Sequence, residues 1–268
     1  MSRPDQSITF LKTFGYSVFR VPRHGAQPLQ LLHRDGKDLT RLGGIADLVE
    51  TGAVALPDIH RDDRPGVNIE GVESSKVNVS IGLNILGGFI GALGGGNLGL
   101  QAGFNRARTV TFTYAAVTED SIDVLALERF VKGGRISEHV PSGTIDKLID
   151  DEVYAVTSVL KTSKIVVSAQ GDAGQSVQVD VPVIQEAVGG SVTVGTEGSI
   201  SSRVTFEGSM AIPFAFQAVQ LVFDPSGQFL TTEQLPAGEA AARDLGVGVG
   251  TSNRVFLAAR GAFVRLAE

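Results

Sequence analysis

The stretch "VNVSIGLNILGGFIGALGGGNLGLQAGFN", from Val77 to Asn105, contains no charged residue, although Lys76 and Arg106 flank it directly. Its length would suffice for a transmembrane helix, which needs roughly 20 apolar residues. However, nine of its 29 residues are glycine, and each glycine inside a helix costs about 1 kcal/mol relative to alanine. The composition therefore argues against a simple helix.

Apolar and polar residues alternate on both sides of the glycine triplet at 94–96. A period of two is typical of a β-strand with one apolar and one polar face. The segment therefore predicts two long amphipathic strands around a Gly-rich turn. Its apolar positions are Val77, Val79, Ile81, Leu83 and Ile85 before the triplet, and Leu98, Leu100, Ala102 and Phe104 after it.

A second pair of alternating strands is predicted near 163–208. The stretch from Val153 to Ala169 is rich in β-branched residues, and alternation then resumes on both sides of a Gly189-Gly190 turn. Such residues favour strands. The apolar positions of this pair are Val177, Val179, Val181 and Val183, followed by Val192 and Val194. The chain thus carries two pairs of long alternating strands, one near 76–117 and one near 163–208.

Helical spacing of apolar residues is found elsewhere and predicts helices over Asp5–Phe14, Thr40–Glu50, Ser121–Gly133 and Thr144–Asp150. Gly52 is a plausible C-cap for the second of these helices. The expected fold class is α+β, with a central twisted, mainly antiparallel sheet and surrounding helices.

The alternating pairs allow two interpretations. In the first, they are the sheet of a soluble α+β domain with one face on the core and one in water, and the protein is a β-rich ligand-binding module without membrane activity. In the second, they are segments that become membrane-spanning β-hairpins, because one face can meet lipid and the other water. Two hairpins enclose no channel alone, so this interpretation requires many copies.

Composition and motifs limit the other possibilities. The net charge of -6 and pI of about 5.3 give no general affinity for nucleic acid. The absence of cysteine excludes disulfides and thiolate chemistry, and the N-terminal sequence has no secretory signal, which predicts a cytoplasmic protein. The chain has no G-x-x-x-x-G-K-[ST] and no G-x-G-x-x-G between a strand and a helix, which are the phosphate-binding glycine motifs, and no G-x-S-x-G occurs. We therefore predict that the protein is not an enzyme and has no catalytic residues, metal site or cofactor.

Three stretches resemble the gasdermin family of pore-forming proteins. "YAVTSVLKTSKIVVSA", from Tyr154 to Ala169, is similar to a Tyr-x-Val-Thr-x-Val-Leu-x-Thr segment of the pore-forming domain, and "FLKTFGYSVFRVPR", from Phe10 to Arg23, looks like the start of bacterial gasdermins. "SIGLNILGGFIGALGG", from Ser80 to Gly95, falls where the family has its first membrane hairpin. The resemblance spans about residues 7 to 235 and is to bacterial members with a short inhibitory C-terminal tail.

This resemblance implies an inactive cytoplasmic monomer that an activating protease, caspase-like or other, cuts near the C-terminus. The freed core would then bind membrane lipids, assemble into a homo-oligomer at the cell inner membrane, and form a pore that kills the cell, which by family resemblance would serve antiviral defence. The implied membrane-inserting residues are Val79, Ile81, Leu83, Ile85, Leu98, Leu100, Phe104, Val177, Val179, Val181, Val192 and Val194.

The C-terminal sequence would supply the switch. Residues 1–243 are predicted to be the pore-forming core, and residues 244–268 a linker and autoinhibitory tail. The Gly-rich span "DLGVGVGTSN" has linker composition. The candidate residues before the cut are Asp244, Leu245, Asn253 and Arg254. The tail residues expected to pack on the core are Val255, Phe256, Leu257, Phe263, Val264 and Leu266.

Two expectations follow from the resemblance and from the pattern together. Many bacterial gasdermins carry an acylated cysteine near the N-terminus, but this chain has none, so attachment of a lipid to a thiol is excluded for this sequence.

In water the apolar faces of the predicted strands must be hidden. We therefore expect the strands near 76–117 and 163–208 to be shorter in the resting molecule and partly replaced by helix or loop.

Overall fold

The structure is a computed structural model that describes residues 15–18, 25–35, 38–65, 76–196, 202–224, 228–234 and 266–267. Its strands are β1 (Ser17–Val18), β2 (Gln30–Asp35), β3 (Asp38–Gly44), β4 (Val49–Glu50), β5 (His60–Pro65), β6 (Val77–Asn78), β7 (Thr109–Ser121), β8 (Arg135–Ile136), β9 (Val153–Gln170), β10 (Val192–Thr196), β11 (Arg203–Phe223), β12 (Phe229–Gln234) and β13 (Leu266–Ala267). Its helices are α1 (Ile45–Leu48), α2 (Val79–Ala92), α3 (Leu100–Gly103), α4 (Val124–Gly133), α5 (Ser142–Ile149) and α6 (Val181–Val188), with a 3₁₀ turn at Asp172–Gly174.

One large sheet organises the molecule, and its main path runs β1-β11-β9-β2-β3-β13. The two longest strands, β9 and β11, pair at its centre. β2 and β7 share the other edge of β9, and β5 and β6 pair with β7. β10, β1 and β12 pair with successive parts of β11. These pairings are antiparallel, while β13 joins β3 in parallel. The predicted α+β fold with a mainly antiparallel sheet is confirmed.

The helices form two groups, each covering a different part of the long strands. α2, α3 and α6 pack on the part that contains Val167 and Val204. α1, α4 and α5 pack on the part that contains Val153 and Leu221. The two predicted helices in the second group are confirmed with shifted ends, since Ser121 belongs to β7 and α5 begins at Ser142. The predicted helix at 5–14 lies outside the described residues.

Alternation predicts a strand through Ile85, but residues 79–92 form the helix α2, so the glycine argument against a helix was wrong for this structure. The helix contains four glycines, which cost about 4 kcal/mol together. It also buries four large apolar side chains, at about 1.5–3 kcal/mol each, so the gain from packing exceeds the glycine cost. These side chains are Ile85, Leu86, Phe89 and Ile90, each 5% exposed or less.

The ends of α2 and its fit to the sheet also follow from the sequence. The Asn78 carboxamide oxygen accepts a hydrogen bond from Ser80 N at 3.0 Å and caps the first turn. Gly94, with φ +81°, follows the last turn. A Cβ on Gly82 would lie 2.1 Å from Val110 Cγ2 on β7. Glycine at this position therefore lets the helix approach the sheet.

Residues 181–188 form a second helix, α6, although alternation predicts a strand through Val183. The Asp180 carboxylate accepts a hydrogen bond from Val183 N at 3.3 Å, and Pro182 lies in the first turn, where its missing N–H costs nothing. Gly189, with φ +78°, ends the helix. The expectation that strands in both alternating regions would be shorter and partly replaced by helix is confirmed for the folded chain.

The predicted helix at 40–50 is wrong. These residues form the end of β3, the four-residue α1 and β4. β3 pairs with β2 along six registered positions, and these backbone hydrogen bonds override the local helical spacing. Gly52 is not a helix cap, because it follows β4 and not a helix. A Cβ on it would lie 2.2 Å from Gly133 O at the end of α4. Glycine is required there by close packing.

The three long strands are irregular at one level of the sheet. On β7, Ala116 has φ +51°, and on β11 the pairing with β9 is interrupted over residues 208–211. Thr162 of β9 lies at this level, fully buried. Its hydroxyl donates to Ala115 O on β7 and accepts from Lys164 N at 3.0 Å. A side chain thus bridges a gap in the ladder of backbone hydrogen bonds.

Candidate functional site

The two alternating regions lie side by side on one end of the sheet. α2 packs on β7, and α3 contacts α6. Main-chain hydrogen bonds join the regions, from Gly96 N to Val188 O at 2.9 Å and from Asp180 N to Gly103 O at 3.0 Å. A cleft of about 470 Å³ lies between them, and Arg106 and Asp180 are among its lining residues. The candidate site is therefore one continuous unit of helices and turns over the sheet.

The apolar residues predicted to enter a membrane occupy several environments in this unit. Buried against the sheet or the neighbouring helices are Ile85, Leu100, Phe104, Val179, Val192 and Val194. Partly buried are Val79, Leu83, Val177 and Val181. Ile81 and Leu98 are exposed, at 52% and 88%. Most of the apolar strand face is thus hidden in the folded chain.

The remaining sequence-predicted residues are those of the C-terminal tail. Backbone at Leu266–Ala267 pairs in parallel with Leu39–Thr40 of β3, at the edge of the large sheet. The cleavage candidates Asp244, Leu245, Asn253 and Arg254, and the tail residues Val255, Phe256, Leu257, Phe263 and Val264, lie outside the described residues. The structure thus places the end of the tail on an edge strand.

A buried hydrogen-bond network fastens the N-terminal strand to the sheet. The Tyr16 hydroxyl donates to Glu119 Oε1 at 2.6 Å, and the Ser158 hydroxyl donates to the same oxygen. Burial, and next the hydrogen bond to Glu119, raise the pKa of Tyr16, so this hydroxyl stays protonated and continues to donate. The three residues come from distant parts of the sequence, and no local pattern could have indicated this network.

A charged pair also lies within the sheet and was missed by sequence reasoning. Lys161 Nζ lies 2.6 Å from Asp120 Oδ1, and the two side chains are 23% and 10% exposed. Within the described ranges, which include Asp58 and His60, no group of three His, Cys, Asp or Glu residues is arranged to hold a metal ion. The same ranges contain no helix long and apolar enough to cross a membrane.

Comparisons with known proteins identify the family. A family model described as the Bacterial Gasdermin Family matches residues 19–228. The chain is 38% identical to a gasdermin of Lysobacter enzymogenes, over 89% of this chain and 88% of that protein. It is 36% identical to a gasdermin of a Desulfuromonadales bacterium, over 90% of each chain. The chain belongs to the bacterial gasdermin family.

The solved structure of a bacterial gasdermin from Bradyrhizobium tropiciagri has the same fold. It superimposes with a TM-score of 0.64, covers 99% of this chain and 97% of its own, and is 15% identical in sequence. The recognition made from the sequence is therefore confirmed. Gasdermins are pore-forming effector proteins and not enzymes, and this chain is assigned to that class by its family.

Proposed function

We propose that this gasdermin is held inactive by its C-terminal tail and is released by a protease that cuts near residues 244–254. The freed core would oligomerise, insert the two alternating regions as β-hairpins, and form large pores in the cell inner membrane. The resting monomer would be cytoplasmic. Cell death after pore formation, in antiviral defence, is the proposed biological outcome. The partners are the protease, membrane lipids and further copies of the chain.

The observation that carries this proposal is the conflict between sequence pattern and folded conformation in the two regions. Apolar and polar residues alternate over 77–85 and 176–183 as they do in strands, yet residues 79–85 and 181–183 lie in helices in the folded chain. Both belong to regions whose ends are already strands, such as β7 and β10. Extension of these strands through the helices would produce hairpins with one apolar and one polar face. An ordinary soluble domain has no need of this double pattern.

Absence of charge along the first region supports the same proposal. Val77 to Asn105 contains only apolar, glycine and uncharged polar residues. A charged side chain at the bilayer centre costs about 2.5–3.5 kcal/mol on insertion scales. Uncharged Asn, Ser and Gln can face the water inside a pore, and they do not carry this cost if they pass through the bilayer centre during insertion. The segment is therefore suited to both environments.

The position of the C-terminal strand supports the role proposed for the tail. β13 covers the edge of β3, and an unpaired strand edge is a template for pairing with another chain. A tail that occupies this edge would block contact with a neighbouring copy. After a cut, the tail would gain translational freedom worth several kcal/mol and dissociate.

Leakage of dye from lipid vesicles tests the proposal. The full-length chain is compared with a chain that ends at Gly250, on vesicles with anionic lipid. We expect leakage from the shortened chain to be at least tenfold faster. Leakage from neither chain, at any lipid composition, would contradict the proposal and favour a soluble ligand-binding module.

The uncut chain provides a second comparison. Replacing Phe256, Phe263 and Leu266 together by Ser should cause leakage without any cut if the tail is a plug. A variant that only aggregates, with no leakage, would indicate that the tail is structural.

A further inference from the structure

The two candidate segments hold each other in the folded chain. The first consists of α2, the turn at 93–99 and α3, and the second is α6. Gly96 N donates to Val188 O at the end of α6, and Asp180 N, at its beginning, donates to Gly103 O. Main-chain hydrogen bonds therefore join the first segment to both ends of α6.

Glycine makes these contacts possible because it lets the two backbones approach closely. A Cβ on Gly103 would lie 2.3 Å from Ile184 Cγ1, and a Cβ on Gly96 would lie 2.7 Å from Ala187 O. Neither glycine has a positive φ. The close approach, and not the backbone conformation, therefore requires glycine at 96 and 103.

The side chain between these contacts belongs to the core of both segments. Ile184 is fully buried, in the same apolar cluster as Phe89 and Ile90 of α2. If α6 left alone, it would expose this cluster and leave Gly96 N and Gly103 O without their partners. If the first segment left alone, the side chains of Ile184 and Val188 would lose their apolar neighbours. Val188 O and Asp180 N would lose their hydrogen-bond partners. Opening of one segment alone is thus penalised on both sides.

We propose that the two segments open as one cooperative unit, held by a glycine latch formed by Gly96 and Gly103 against α6. The latch can be observed in the folded chain without pore formation. Only its consequence rests on the proposed function: both hairpins of a subunit would be released in a single step. Loss of the latch would then free both regions of a subunit together.

Hydrogen–deuterium exchange of the full-length chain in solution tests the latch. Gly96→Ala and Gly103→Ala each place a methyl group in the close contact, and overpacking of this kind is destabilising. We expect peptides from 79–92 and from 181–188 to exchange about tenfold faster in each variant. Faster exchange in only one of the two peptides would overturn the proposal.

Two matched glycines provide controls. A Cβ on Gly91 in α2, or on Gly190 after α6, would meet nothing within 4 Å. Gly91→Ala and Gly190→Ala make the same chemical change without a clash and should leave exchange in both peptides unaccelerated. Acceleration by the controls equal to that of the latch variants would also overturn the proposal.

A cross-link keeps the test decisive if the latch variants fold poorly. A Cβ on Gly99 would lie 3.6 Å from Ala187 Cβ, within the Cβ–Cβ range of about 3.5–4.5 Å for disulfides. The natural chain has no cysteine, so Gly99→Cys with Ala187→Cys gives a single possible bond. Gly99 has φ +96°, so a side chain there is strained, and only the oxidised and reduced forms of this one variant are compared. Oxidation should slow exchange in both peptides relative to the reduced form of the same variant. Slowing confined to one peptide would contradict the latch.

The outcomes for the latch and for pore formation are separable. Coupled exchange without leakage from the shortened chain would leave the latch intact and remove the proposed function. Leakage with uncoupled exchange would keep the pore and remove the latch.

Discussion

Asp151 is a residue whose conformation and charge are both unfavourable in the folded chain. It has φ +59°, and its Oδ1 atom is buried without a hydrogen-bond partner among the described residues. Burial, and next the charges of Glu233 and Asp150, raise its pKa above 3.8. The folded state therefore binds this proton more tightly than the unfolded chain does. We predict that Asp151→Asn raises the melting temperature at neutral pH by a few degrees, since Asn also tolerates a positive φ.

The pH dependence of this gain follows from the direction of the pKa shift. A group with a raised folded-state pKa contributes stability that is full below its unfolded pKa and lost as pH rises through the folded pKa. The advantage of Asp151→Asn should therefore narrow as pH falls from neutral towards 3.8. Thermal unfolding across this range measures it. Asp146→Asn, at an exposed site on α5, is the control; an equal pH trend in both variants would contradict the assignment.

At the scale of single elements, the sequence predicted best where local pattern and tertiary packing agree. The β-branched run of β9 was predicted as a strand, and α4 and α5 were predicted as helices from their apolar spacing. It failed at α2 and α6, because alternation and glycine content describe a strand while the burial of Phe89 and Ile184 favours a helix on the sheet. Periodicity alone does not report such packing.

The failure at α2 and α6 has a physical meaning within the family. A segment that serves two folded states must carry the pattern of one state and the packing residues of the other. Ile85 illustrates this, because it lies on the apolar side of the alternation and is also buried beneath α2. The sequence therefore indicated the state that we propose in the membrane, while the structure is that of the resting chain.

The bridge made by Thr162 leads to a prediction about the long strands. Its hydroxyl connects Ala115 O with Lys164 N across a gap in the ladder. Thr162→Val keeps the shape and removes the hydroxyl, leaving buried backbone groups without partners at about 1–3 kcal/mol. We expect the free energy of unfolding in urea to fall by about this amount. Exchange in residues 109–115 should also accelerate.

Another buried threonine provides the comparison for Thr162. Thr205 of β11 is 8% exposed, and Thr205→Val makes the same chemical change away from the gap between Ala115 and Lys164. If the two variants were equally destabilised, the hydroxyl bridge would have no special role in the sheet.

On the scale of the whole molecule, the contacts that connect distant parts of the chain were beyond sequence reasoning. The hydrogen bonds of Tyr16 with Glu119 and the pairing of β13 with β3 join residues far apart in sequence. Which apolar residues of the alternating regions are exposed in the resting chain was equally unpredictable. Leu100 lies on the apolar side of the alternation but is 3% exposed, so a charge there would disrupt folding before it could test insertion.

Ile81 and Leu98 allow a clean test of insertion in the whole molecule. They lie on the apolar side of the alternation yet are 52% and 88% exposed in the resting chain. Ile81→Asp and Leu98→Asp should leave the monomer folded, with an unchanged circular dichroism spectrum. In a pore, each subunit would place the charge in lipid at about 2.5–3.5 kcal/mol, and many copies multiply this cost. We expect leakage by the shortened chain to fall at least tenfold.

Charge alone could alter leakage, so the controls add charge on the polar side of the same alternation. Asn84→Asp and Gln101→Glu change exposed residues that would face water in the proposed hairpin, where a carboxylate remains hydrated. Vesicles treated with these variants of the shortened chain should leak at close to the rate seen with the unsubstituted shortened chain. Equal loss of leakage in all four variants would indicate repulsion from anionic lipid at the surface. Full leakage from Ile81→Asp and Leu98→Asp would mean that this region does not enter the bilayer with its apolar face towards lipid.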